Sequence, residues 1–293
     1  MSGLTKSGSG ELTLSGSNTY LGGTTILAGV LSAGSDTNLG NVNGGITLEG
    51  GELVTTISGF STARTVDVSG AGTPDTLAAA AGTTATYTGV LSDTGILVVG
   101  DALNVGTVVL TGANTYSGGT TLNGGILAVS SDGNLGTGAL SFNGGTLEAL
   151  AGITSSKAIT ILAGGGTFLA NAGTQSTISS AITGSGSFTK SGAGALILTA
   201  TNTYSGGTTI SGGTLLIGNG GATGSILGNV IDNGNLSFNQ SDNLTFSGAV
   251  SGTGALRQIG PGTLTLTNLT NSYSGGTFVL GGTLSVDTDA ELG

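Results

Sequence analysis

The sequence predicts an all-β chain wound as a parallel β-solenoid, and three observations carry that prediction. Of 293 residues 60 are Gly, only 7% are charged, and one pattern recurs four times. Gly, Thr, Ser, Leu and Val in such excess point to short strands separated by frequent turns. Disorder is excluded because the chain is 37% hydrophobic and sparsely charged, the reverse of a disordered composition. Collagen is excluded because the chain has two Pro and no Gly at every third position.

The four copies are ELTLSGSNTYLGGTTILAGVLSA (11–33), TVVLTGANTYSGGTTLNGGILAV (107–129), ALILTATNTYSGGTTISGGTLLI (195–217) and TLTLTNLTNSYSGGTFVLGGTLSV (263–286). They align on Tyr20, Tyr116, Tyr204 and Tyr273, each preceded two residues earlier by Asn and followed by Gly-Gly-Thr. The tyrosines are 96, 88 and 69 residues apart. Division by 4, 4 and 3 predicts about 12–13 coils of roughly 23 residues, within the range of stacked repeat units. One domain is expected over 1–293, with superrepeats at roughly 1–96, 97–187, 188–255 and 256–293.

Within each copy, apolar residues at fixed offsets and with period two mark inward-facing strand positions. Leu14, Ile26, Leu31, Leu110, Leu122, Leu127, Leu198, Ile210, Leu215 and Leu284 are the expected core. Asn-Gly pairs at Asn43, Asn123, Asn143 and Asn233 punctuate the strands, because Asn and Gly tolerate the left-handed backbone of a coil corner. The helix-prone patch Thr76–Ala81 is too short for more than an insertion or turn.

Composition bounds the chemistry. Without His or Cys there is no His-based triad, Cys nucleophile, zinc finger or haem ligation, and no cofactor is expected. Fifteen acidic residues against five basic ones provide no electrostatic footprint for nucleic acid. No apolar run approaches the ~20 residues of a membrane span.

The clearest copies, Leu4–Leu31 and Phe188–Leu215, open with Thr5-Lys6-Ser7-Gly8 and Thr189-Lys190-Ser191-Gly192. In this they resemble the passenger-associated β-strand repeat of bacterial autotransporters. The other copies keep the core but read Asp101-Ala102-Leu103-Asn104 and Arg257-Gln258-Ile259-Gly260 at that place. The resemblance implies a right-handed parallel β-helix on the outer surface of a Gram-negative-type bacterium, exported through a C-terminal β-barrel. Met1–Lys6 has no apolar signal-peptide core, and no barrel pattern follows Asp287. Both boundaries fall inside the repeat, so the chain reads as a stretch cut from a longer array.

No catalytic reading gathers a complete set of residues. Glu49 and Glu52 are three apart, and odd spacing in a strand places side chains on opposite faces. Asp36, Asp132 and Asp289 each follow a motif Tyr by 16 residues and read as turn caps. Ser187 and Lys190 form a Ser-x-x-Lys, and Ser241-Asp242-Asn243 resembles a second element of penicillin-binding-type sites, but no Lys-Thr-Gly completes the set. The Gly-x-Gly runs lack their third Gly, and no calcium nonapeptide occurs. The motif tyrosines read as corner residues with bonded hydroxyls rather than as a sugar-stacking row. No catalytic, cofactor-binding or metal residue is therefore assigned. The expected function is a non-enzymatic, extracellular β-helical scaffold that folds progressively on export, with end-to-end self-association or a surface glycan or host-cell partner. The alternative is a polysaccharide-active β-helix lyase or hydrolase, which three carboxylates in one groove would favour.

Overall fold

The computed structural model describes residues 2–70 and 73–293. Its contacts cluster into two compact units, Met1–Leu147 and Glu148–Gly293. The chain is an all-β parallel solenoid of about 13 coils spaced about 21 residues apart. Among the described residues there is no α-helix, only short 3-10 turns at Asp36–Leu39, Asp132–Leu135 and Asp289–Glu291.

A coil has three sides. In the first unit Ile46–Leu48, Glu52–Thr55 and Phe60–Thr62 are successive sides of one coil, and Val66–Val68, Asp75–Ala79 and Thr84–Tyr87 are those of the next. Typical strands, such as Thr24–Ile26, bury the first and last residue and leave the middle one half-exposed. This is strand alternation at its shortest length. It explains why Thr and Ser alternate with Ile, Leu and Val. In the second unit Val250–Gly252, Ala255–Gln258 and Thr263–Leu266 repeat the arrangement, each in parallel register with the coil before.

The coil is shorter than the roughly 23 residues expected from motif spacing. In the first unit Thr24, Ile46, Val66 and Leu91 stack in one column, which Thr115 continues by donating its N–H to the Leu91 carbonyl. Thr120, the motif equivalent of Thr24, lies one side further on, in the column of Leu97 and Leu140. The 96 residues from Tyr20 to Tyr116 thus hold four coils plus one extra side. The second unit does the same: Thr208, Val230 and Val250 share a column, whereas Thr277 stacks on Leu256 of the next side. Within each unit, successive motif copies therefore occupy adjacent sides.

Eight of the ten expected core positions are 0% exposed: Ile26, Leu31, Leu110, Leu122, Leu127, Leu198, Ile210 and Leu215. Leu14 and Leu284 are half-buried because their strands pair on one side only. The patch Thr76–Ala81 is corrected: Asp75–Ala79 is a strand, with Thr76–Ala79 in register on Glu52–Thr55. Ladder bonding to the strands on either side outweighs the weak local preference of Ala, and Ala78 and Ala79 fit the core as small inward residues.

Candidate functional site

The residues that define the motif converge on its corner, the side of the coil where the ladder is interrupted. In the second and third copies, residues 111–119 and 199–207 contribute no strand. The five-stranded sheet of the first unit accordingly ends at Leu91–Ser92, beneath the second copy. The motif Asn bridges the gap. Asn114 Oδ1 accepts the Leu91 N–H at 2.8 Å from the coil before, and its Nδ2 donates to the Asn134 carbonyl of the coil after. Asn202 accepts from Ile182 at 2.9 Å and donates to Ser225 at 2.8 Å, and Asn271 accepts from Val250 and donates to Glu291. One amide thus replaces the missing rungs on both sides, satisfying backbone groups that burial would otherwise penalise.

The tyrosines close the same corner. Tyr20, Tyr116, Tyr204 and Tyr273 each bond a Thr hydroxyl four residues on, at 2.6–2.7 Å. Tyr116 and Tyr204 are fully buried and Tyr273 nearly so, leaving no ring face for a sugar. Burial pushes the Tyr204 hydroxyl up to about 12 and raises Tyr116 further, against the bonds from Thr208 and Thr120. Tyr87, outside the motif, is also 0% exposed, and its hydroxyl has no partner among the described residues.

Lys190, half of the Ser-x-x-Lys pair, points inward at 0% exposure, whereas Ser187 is exposed, so the two are not brought together. The Lys190 ammonium donates to the carbonyls of Ser191, Gly192 and Gly212. Burial pushes it down to about 8. Lys6 caps Gly8 and Ala28, and Gln258 caps Gly260 and Gly262, so a neutral amide fills the role in the fourth copy. These carbonyls crowd because Gly213 has φ +66° and a Cβ there would strike the carbonyl oxygens of Gly192 and Gly194. Arg64 plays a related part, buried and donating to Asp36 at 2.7 Å and to the carbonyls of Gly40, Asn41 and Gly44.

The acidic residues separate into distinct roles. Asp36, Asp132 and Asp289 each start a 3-10 turn, but the cap is the residue two further on. Asn38 Oδ1 accepts from Gly34 and Ser35, and Asn134 Oδ1 accepts from Ser130 and Ser131. Glu291 serves in the last turn by accepting from Asp287. Asp75 and Asp232 are fully buried; burial raises both, while backbone N–H groups of Gly50 and Gly70, and of Gly234 and Leu236, pull the other way. Ser241, Asp242 and Asn243 lie exposed in a loop.

One carboxyl pair had no sequence signal. Glu52 meets Asp101, 49 residues later, in a groove also lined by Glu11. Burial and the Asp101 charge push Glu52 up to about 8. Burial also opposes ionisation of Asp101, yet bonds from Glu52, Asn104 and Leu103 hold it down at about 2. Glu49 is exposed and takes no part. Three carboxyl groups thus line one groove, the arrangement that would favour an enzyme. However, two of them are in contact, with no gap for a scissile bond or an attacking water, and hydrolytic carboxylate pairs need ~5–9.5 Å between them. Among the described residues no group of three or more His, Cys, Asp or Glu is placed to hold a metal ion.

Comparisons with known proteins agree with this geometry. The model of the passenger-associated-transport-repeat family matches residues 4–33, 104–129, 188–217 and 256–286. A stretch of 134 residues is 44% identical to the adhesin BmaC autotransporter of Brucella suis biovar 1 (strain 1330), covering 45% of this chain. That stretch is 4% of the relative's own length. No solved structure matches the chain. With the motif residues spent on joining coil to coil, the chain is a parallel β-solenoid carrying four passenger-associated-transport-repeats, similar over part of its length to an autotransporter adhesin.

Proposed function

We propose that the chain is a non-enzymatic scaffold segment of an autotransporter-like passenger, working outside the cell or at its outer surface. The observation that carries this reading is the use of the motif side chains. Asn, Tyr and Lys, the residue types able to bind or catalyse, are buried and bonded to neighbouring coils. The similarity to an adhesin supports a role in displaying a binding surface, with a surface glycan or a host-cell component as partner. Each coil is bonded chiefly to its neighbours, so a folded coil can template the next. Export-coupled folding fits that topology, because stacking supplies its own driving force outside the cell. End-to-end self-association is the companion expectation, since unpaired strand edges are templates for another chain.

The test is display. The chain fused to a surface anchor, or purified and immobilised, should retain cells or glycans more strongly than a displayed β-solenoid lacking the repeats. Turnover of pectin-like or alginate-like polymers, abolished by one Asp or Glu substitution, would favour the lyase or hydrolase reading instead. Sedimentation across protein concentration and salt tests self-association, which a strict monomer at high concentration and high salt would exclude.

A further inference from the structure

The strand Glu52–Thr55 presents Glu52 on the outer face of its side, level with Val30 of the coil before and Thr76 of the coil after. Glu11 stands one coil further back in the same row. The loop 100–106, between the strands Leu97–Val99 and Thr107–Leu110, folds over this row. Asp101 shapes the loop by accepting the N–H groups of Leu103 and Asn104, both at 2.6 Å, and the Asn104 side chain at 2.9 Å. Its carboxylate meets the Glu52 carboxyl, whose Oε1 is otherwise buried without a partner among the described residues.

No cation offsets this contact. The first unit has two basic residues, Lys6 and Arg64; Lys6 caps Gly8 and Ala28, and Arg64 is bound to Asp36 and backbone carbonyls. The charged groups around Glu52 are all acidic. Glu11 shares its row, Asp101 faces it, Glu49 is exposed beyond the strand, and Asp75 of the next coil points inward onto Gly50 and Gly70. Two carboxyls in contact without a cation can attract only by sharing a proton.

We propose that the loop 100–106 is a proton-held flap, closed over a groove of Val30, Ser32, Val54 and Thr56 while Glu52 donates its proton to Asp101, and released when that proton is lost. The groove is about 370 Å³. Glu52 is raised from an ordinary 4.5 to about 8, so the folded chain holds this proton more tightly than the unfolded one. The contact is complete at acidic pH, weakens as pH rises above 4.5, and is lost as pH passes about 8. The titration belongs to the pair rather than to either residue.

Hydrogen exchange on the full chain tests the proposal, with rates corrected for the intrinsic effect of pH. Protection of the Leu103 and Asn104 amides should fall at least tenfold between pH 6 and pH 9, while Leu127 in the neighbouring ladder keeps its protection. The variant Glu52→Gln retains a donor for Asp101 but cannot ionise, so its loop should stay protected throughout. Unchanged loop protection in the wild type would overturn the flap. So would an equal loss in E52Q, or a parallel loss at Leu127.

Discussion

Replacing Asn202 with Ala removes one amide that serves three backbone groups. Asn202 is 0% exposed; its Oδ1 accepts the Ile182 N–H at 2.9 Å, and its Nδ2 donates to Ala200 at 2.9 Å and Ser225 at 2.8 Å. The carbonyls survive the change better than the donor does. Ser225 O still accepts the Asn202 N–H, and Ala200 O still accepts the Ser225 N–H. The Ile182 N–H loses its acceptor in a buried setting, at about 1–3 kcal/mol, and each lost carbonyl bond adds about 0.5–1 kcal/mol. The expected cost is about 2–5 kcal/mol, concentrated between two coils. A solenoid opens locally, so global unfolding would blur the effect. Hydrogen exchange at Ile182 reads it directly. At ~1.4 kcal/mol per tenfold, protection there should fall between about thirtyfold and a few thousandfold. Asn143→Ala is the control, because its Nδ2 bonds only the exposed Asn123 side chain; surface changes of this kind stay within about 0.5 kcal/mol. A loss below threefold at Ile182 in N202A, or one no larger than in N143A, would refute the bridging role.

Two tyrosines should respond in opposite directions to loss of the hydroxyl. Tyr116→Phe removes a 2.6 Å bond to Thr120 and should cost about 1–2 kcal/mol, whereas Tyr87→Phe removes an unpartnered buried hydroxyl and should be neutral or stabilising. Thermal melts of both variants decide this. Gly213→Ala places a Cβ on crowded carbonyls at φ +66° and should destabilise by more than about 2 kcal/mol, measured by denaturant titration. For Lys190, the folded value near 8 lies below the ordinary 10.5, so the unfolded chain binds more protons between them and this residue's contribution should rise with pH across that window. The neutral replacement Lys190→Gln, which copies the amide of Gln258, should flatten that part of a stability–pH profile.

The repeated part of the molecule was legible because repetition encodes it locally. Alternation within three or four residues placed Ile26, Leu122 and Ile210 in the core, and a fixed offset marked each Tyr as a bonded corner residue. The same offsets flagged the motif Asn, although only the coils on either side reveal that Asn114 joins Leu91 to Asn134. Counting residues between motifs could not separate a coil from a side, so the extra side in each interval lengthened the inferred coil. Thr76–Ala79 reads as a turn in isolation and is a strand because Glu52–Thr55 pairs with it.

The sequence by itself thus determined that this chain stacks short parallel strands, which side chains fill the interior, and that no histidine or cysteine chemistry is available to it. Those are properties of composition and short period, and they need no knowledge of what lies across the coil. The tertiary structure alone decided which distant groups meet: Glu52 with Asp101, Arg64 with Asp36, and each motif copy with its own side. Such meetings depend on the summed lengths of the intervening turns, and a single residue gained or lost there shifts every later side chain around the coil.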